Sequence, residues 1–250
     1  MDSDEIERLR QIFNKEYPSN PISEGSASYI WKELQQRFHK HCEQGLQCII
    51  TEFMKKPKAP DSWSTNPKEW LSSEDIDKIE KQLQKLYVGY KYLGTIPIDF
   101  DKKSELGKCI VDSLCAIKLD NLLKKGYTRI GIVFNTDVST GPGQHWIAVY
   151  CDLRPELEYP RFTYFDSYAE QPEPEIQRLM FRWKEEWDSN HPEKMLLSYN
   201  KTRHQYEDTE CGMYCLIFHH YCLNEIPMDK RIHDKVCRSF RELFFNIAKV

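Results

Sequence analysis

The sequence predicts an α+β fold in which helices come first, a central sheet follows, and further helices close the chain. Three observations carry that reading. Apolar residues recur at helical spacing as far as Gly126. The period then drops to two in short runs between Arg129 and Asp166. From Cys211 onward a stretch is apolar nearly all round, which marks a buried helix.

In order along the chain, residues 3–16 put Ile6, Leu9, Ile12 and Phe13 on one helical face. Residues 26–44 repeat the pattern with Ile30, Leu34 and Phe38. Residues 46–56 are a short apolar stretch, including Leu46, Cys48, Ile49 and Ile50, that ends in lysines. Together these predict a small helical accessory module over residues 1–56. Pro57, Pro60 and Pro67, set among charges and turn formers, mark a linker over 57–69. Residues 70–250 then form the larger domain. Its first helix is signalled by Ser72 with Asp75 three residues on, a capping-box spacing, and by the stripe Ile76, Ile79, Leu83, Leu86 and Tyr90. Residues 103–125, with Leu106, Ile110, Ile117 and Leu122 and a closing Gly126, predict another helix. Strands follow at Arg129–Phe134, His145–Cys151 and Arg161–Asp166. Residues 173–187 return to helix through Ile176, Met180, Trp183 and Trp187, and Met195–Tyr199 is a short strand. The last two helices start near Cys211 and run through Ile232, Val236, Phe240, Leu243 and Ile247.

Composition narrows the function. The 250 residues are 40% hydrophobic and 30% charged, with a net charge of −4. That is an ordinary globular balance with no basic excess, so no nucleic-acid partner is expected. No apolar run reaches the roughly 20 residues that span a bilayer, so no membrane role is expected. The start, Met1-Asp2-Ser3-Asp4-Glu5, is acidic where a secretory signal is basic. Nine cysteines without a regular framework then predict free thiols in a reducing, intracellular setting. His39, His41, Cys42 and Cys48 cluster loosely, as do His219, His220 and Cys222. Neither set has a zinc-site spacing, so core or surface roles are expected, with no metal and no cofactor.

Three places combine reactive groups with a tight local setting. Gly141-Pro142-Gly143-Gln144 delivers His145 to the start of a strand. Asp166 ends the next strand, and an antiparallel meander would bring the two together. Cys211 opens the buried helix, with Asp208 or Thr209 as a candidate cap. A helix N-terminus and a protonated histidine both favour the thiolate, which is the nucleophilic form. Asp166 would fix the imidazole tautomer, and Gln205, six residues before the cysteine, can aim an amide N–H at an oxyanion. Gly212 permits close backbone approach, and Trp146 would roof the groove that leads to Cys211. The sites read from sequence are therefore Cys211, His145, Asp166 and Gln205 for catalysis, and Trp146 and Gly212 for substrate.

His145-Trp146, Phe165-Asp166-Ser167 and Gln205 before Cys211-Gly212 resemble the ubiquitin-like-protease family, which includes SUMO proteases and adenovirus protease. A narrower likeness runs through Asn135-Thr136-Asp137, Ser139-Thr140-Gly141, Gly143, Arg203-His204-Gln205 and Thr209-Glu210-Cys211-Gly212. There the chain resembles the polyprotein-processing core protease of African swine fever virus and related large DNA viruses, over about residues 70–250. The resemblance implies a papain-like core, a mixed sheet flanked by helices, and a cysteine endopeptidase cutting after Gly-Gly in viral structural polyproteins during virion maturation. It implies action in host cytoplasm or virion. It departs from the family at Glu210, where many SUMO proteases have aspartate, and at Asp166, where the swine fever enzyme has asparagine. Trp70-Leu71-Ser72-Ser73 is only a loose echo of the SUMO-protease Trp-Leu-Asn-Asp motif. The alternatives are deconjugation of SUMO or ubiquitin, whose tails also end in Gly-Gly, and acyl transfer on the same fold.

Overall fold

The computed structural model describes residues 3–42 and 54–247. The stretch 43–53, with Cys48, lies outside the described residues, as do the side chains of Ile12, Phe38, His39, His41 and Cys42. Two helices, α1 (Ser3–Glu16) and α2 (Ala27–Cys42), form as expected. Ile6, Leu9, Phe13, Ile30 and Leu34 bury their apolar stripes. The segment after Met54 is packed rather than free. Ala59 N–H donates to Asn246 O and Asn246 N–H to Pro57 O, and Trp63 meets Phe245 edge-on at 4.9 Å. Helix α3 (Ser73–Leu86) carries the expected capping box between Ser72 and Asp75.

The sheet has five strands in sequential order: β1 (Tyr90–Pro97), β2 (Arg129–Asn135), β3 (Trp146–Asp152), β4 (Arg161–Phe165) and β5 (Leu196–Tyr199). The outer pairs are parallel and the inner ones antiparallel, so the sheet is mixed, as the fold class requires. Two elements depart from the sequence reading. Tyr90 does not continue the α3 stripe. Gly89, at φ +78°, turns the chain, and Tyr90 opens the first strand. The predicted helix over 103–125 is instead a loop followed by two short helices, α4 (Asp112–Ala116) and α5 (Leu119–Lys124). Leu106 and Ile110, read as its apolar face, are exposed, so nothing rewards a helix there. The expectation of free thiols is corrected at one pair, since Cys109 and Cys115 form a disulfide across that loop.

Helix α6 (Pro174–Asn190) joins α4 and α5 on one face of the sheet. On the other face lie α3, the buried α7 (Cys211–Leu223) and α8 (Asp234–Phe244). The apolar residues of α1 and α2 are continuous with that second core. Strand β3 alternates between the two, with Trp146, Ala148 and Tyr150 on the α7 face and Ile147, Val149 and Cys151 on the α6 face.

Candidate active site

The β3–β4 register decides which reactive groups meet. Ala148 pairs with Phe165, so His145, just before β3, lies beside Asp166, just after β4. His145 Nε2 and Asp166 Oδ1 are 2.7 Å apart. Cys211 is the second side chain that interacts with the imidazole. Burial pulls the His145 pKa down, but the bonds to Asp166 and Cys211 outweigh it and raise it from 6.5 to about 9.

Each partner is held by local structure. Asp166 is buried, and its carboxylate accepts the N–H groups of Tyr168 and Glu170 at 3.1 Å each. The turn that wraps them round it puts Ala169 at φ +63°, in the left-handed region. Asn200 adds a two-way bond with the Asp166 backbone, accepting its N–H at 2.9 Å and donating to its carbonyl at 2.7 Å. The loop that presents His145 is built on two side chains. Asn135 Oδ1 accepts from the N–H groups of Asp137 and Gln144, and the Asp137 carboxylate accepts from Val138 and Gly143. A Cβ at Gly141 would run into that carboxylate.

Cys211 is the first residue of α7 and is buried. Neither Asp208 nor Thr209 caps the helix, against the sequence expectation. Glu210 is the N-cap residue and its side chain turns away, to Arg238 Nε at 3.0 Å and Arg241 Nη2 at 3.2 Å. The first N–H groups of the helix therefore carry no side-chain cap, which suits a developing anion. The other described free cysteines, Cys151, Cys215, Cys222 and Cys237, all have their thiol pKa pushed up by burial.

Gln205 is fully buried. Its Oε1 accepts from Ser167 Oγ at 2.6 Å, and its amide donates to Glu207 O at 2.6 Å and to Tyr168 Oη at 3.1 Å. Tyr168 is a residue that sequence reasoning missed. Its ring lies 5.0 Å from that of His145. Its position two residues after Asp166 was the only signal. Trp146 lies over Gly212, where a Cβ would come within 3.2 Å of the indole Cδ1 and 3.1 Å of Leu71 Cβ. The indole N–H donates to Leu71 O at 3.0 Å. Trp146, Trp70, Leu71, Asn135, Asp137 and Gly143 help to line a cavity of about 560 Å³. The His219 and His220 pair is engaged elsewhere, His219 with Glu80 and Val149 O and His220 with Asn224.

No protein-family model matches the chain. Individual proteins do. A mimivirus protein named as a thiol protease, from Acanthamoeba polyphaga mimivirus, is 27% identical over 227 residues, 86% of this chain and 71% of that protein. A cysteine protease of African swine fever virus is 34% identical over 130 residues, 50% of this chain and 47% of the relative. The chain is a cysteine protease, similar to those of the ubiquitin-like-protease clan. The matched stretch spans about half the length of the swine fever relatives. The chain's fold covers more of them. The crystal structure of the swine fever virus protease superposes with a TM-score of 0.65 at 21% identity, over 99% of this chain and 91% of the other. The SUMO protease Ulp1, with its catalytic cysteine oxidized to a sulfinic acid, gives a TM-score of 0.50 at 15% identity, over 80% and 93%. At such identities these two structures speak for the fold, a mixed sheet flanked by helices.

Proposed function

We propose that this cysteine protease is an endopeptidase that cuts after Gly-Gly, with Cys211 as nucleophile, His145 as base, Asp166 as its orienter and Gln205 as oxyanion donor. The Cys211 thiolate adds to the substrate carbonyl carbon. Charge gathers on the carbonyl oxygen, where the α7 N–H groups and the Gln205 amide stabilise it. The bond to Tyr168 Oη, the longer of the two from that amide, is the one exchanged for the oxyanion. The tetrahedral adduct collapses as the imidazolium gives its proton to the leaving amine. Neutral His145 then takes a proton from water, which releases the acyl group and restores the thiolate.

The observation that carries the glycine preference is the indole of Trp146 packed on Gly212 and tied to Leu71 O beside the cavity. A path bounded by fixed rings admits backbone and clashes with a Cβ, and a packed wall does not yield cheaply. The sequence resemblance to the polyprotein-processing protease of large DNA viruses puts forward a structural polyprotein as substrate, processed in an infected cell. One swine fever relative is named a SUMO-1 cysteine protease, which keeps deconjugation as the second reading. We assign the N-terminal residues 1–56, which include α1 and α2, to holding that substrate. The test is a panel of Gly-Gly-X and Ala-substituted peptides beside SUMO and ubiquitin fusions. Polyprotein processing requires efficient cleavage of short Gly-Gly-X peptides with no gain from an attached modifier. A gain of several hundred-fold from the folded modifier would move the assignment to deconjugation.

A further inference from the structure

Two segments that flank the site, 201–206 and 229–232, lie side by side. Thr202 Oγ1 donates to Asp229 O at 3.1 Å, and Ile232 N–H donates to His204 Nδ1 at 3.0 Å. Together they present Lys201, Arg203, Lys230 and Arg231, all exposed. Among the described residues, Lys201, Arg203 and Lys230 form no salt bridge. Arg231 reaches Asp234 only at 3.8 Å, and Asp234 is buried and already accepts from Tyr206 N–H and Tyr214 Oη. The carboxylates that reach solvent on these segments and the adjoining loop are Asp208, Asp229 and Glu207, and Glu207 is already paired with Lys68 and Arg238, so positive charge is in excess.

The two arginines are stacked on tyrosine rings. Their guanidinium carbons lie over the Tyr206 ring at 4.6 and 4.0 Å, and Arg203 also lies over Tyr168 at 5.1 Å. Stacking occupies the flat face of a guanidinium and leaves edge N–H groups for carboxylates. Tyr168 carries this surface to the reacting centre, because its ring lies 5.0 Å from that of His145. The cavity lined by Trp70 and Trp146 includes neither Tyr168 nor Tyr206. Two distinct surfaces therefore adjoin the site, one lined by Trp70 and Trp146, the other cationic.

We infer that the cationic surface of Lys201, Arg203, Lys230 and Arg231 binds an acidic stretch of the substrate on the leaving side of the scissile bond. The side assignment rests on the proposed function: glycines on the Trp146 surface leave the Tyr168 surface for the residues after the cut. Carboxylates two to five residues past the bond would face the arginine edges. Such contacts set selectivity and encounter more than the chemical step.

The test uses three peptides that share Gly-Gly-Ala and continue with four glutamates, four alanines or four lysines. On the wild-type protein the kcat/KM ratio of the glutamate to the lysine peptide is expected to be about 30-fold at low salt and to fall toward one near 0.5 M salt, as exposed charges are screened. Binding of the fluorescent glutamate peptide to Cys211→Ala protein, followed by anisotropy, reads the surface even if Gly-Gly is not the sequence cut. Arg203→Glu/Arg231→Glu should invert both preferences. Lys201→Glu/Lys230→Glu, which leaves the stacked arginines in place, should shrink them several-fold. Equal kcat/KM and equal binding of the glutamate and lysine peptides, or a preference untouched by both double variants, would overturn the inference. Failure to cleave any of the peptides, with tight charge-dependent binding retained, would sink the Gly-Gly reading and leave the surface standing.

Discussion

The two faces of the sheet share the same strands and differ in what is packed on them. On the α6 face the core is Ile130, Ile132, Phe134, Ile147, Val149 and Phe162 against Ile176, Leu179 and Trp183, with an edge-on contact between Phe162 and Trp183 at 5.4 Å. On the α7 face, apolar packing is interrupted by buried Glu80, Asp166, His204, Gln205, Glu210, His219 and Arg241. Most of these polar side chains are bonded into the frame. Glu80 Oε1 lies 2.7 Å from His219 Nδ1 and accepts from Tyr90 Oη through its other oxygen at 2.8 Å, while His219 Nε2 lies 3.0 Å from Val149 O. Arg241 joins Glu210 to Glu69 O and lies over Trp63 at 4.3 Å. A buried ion pair is seldom the most stabilising choice, and the same volume in hydrocarbon often does as well. The difference between the faces teaches where selection for something other than stability has acted: on the side that holds Cys211.

The comparison breaks most visibly at the proposed nucleophile. Cys211→Ala should lose all measurable peptidase activity, a drop of about 10⁴-fold or more, with an unchanged circular-dichroism spectrum. Equal loss from Cys215→Ala in a folded protein would misplace the site. His145→Ala should cost nearly as much. Asp166→Ala should fall well below Asp166→Asn, since the amide still accepts and holds the ring. The pH profile sharpens this. Imidazolium persists up to its raised pKa of about 9 and is lost above it, so activity should decline on the alkaline side near pH 9. Asp166→Asn keeps an acceptor but removes the negative charge that helps to raise this pKa, and should move the decline to lower pH. An unmoved limb would detach Asp166 from His145.

Gln205→Ala should lower kcat by about 10²–10³-fold with little change in KM, in line with loss of one oxyanion donor. A pure KM effect would make Gln205 a substrate-positioning group. The smallest effect on turnover is expected across the sheet. Trp183→Ala should cost about 3–5 kcal/mol of stability, seen in denaturant unfolding, while kcat per folded molecule stays near wild type. A large fall in kcat there would mean that the two faces are coupled and that the division drawn above is false.

Most of the candidate site was legible because it depends on local pattern. His145 follows a Gly-Pro-Gly turn, Asp166 ends an alternating strand and Cys211 opens an all-apolar helix, and one antiparallel register brings the first two together. What was illegible depends on distant partners. Tyr90 fits a helical stripe as well as a strand, and only pairing with Arg129 at the start of β2 decides. Leu106 and Ile110 had the right spacing but no surface to pack against. Glu210 reads as one more charge on a polar loop, and its burial depends on Arg238 and Arg241, about thirty residues on. The disulfide between Cys109 and Cys115 joins residues whose proximity in space no spacing rule settles.

The central claim is that His145 makes one thiol unlike the rest, and thiol alkylation tests it directly. Cys151, Cys215, Cys222 and Cys237 are suppressed by burial, so iodoacetamide at neutral pH should modify Cys211 far faster than any of them, as read by peptide mass mapping. In His145→Ala that rate should collapse to the level of an ordinary buried thiol, with the fold unchanged. Rapid labelling of Cys211 that survives His145→Ala, or preferential labelling of another of the four, would contradict the account.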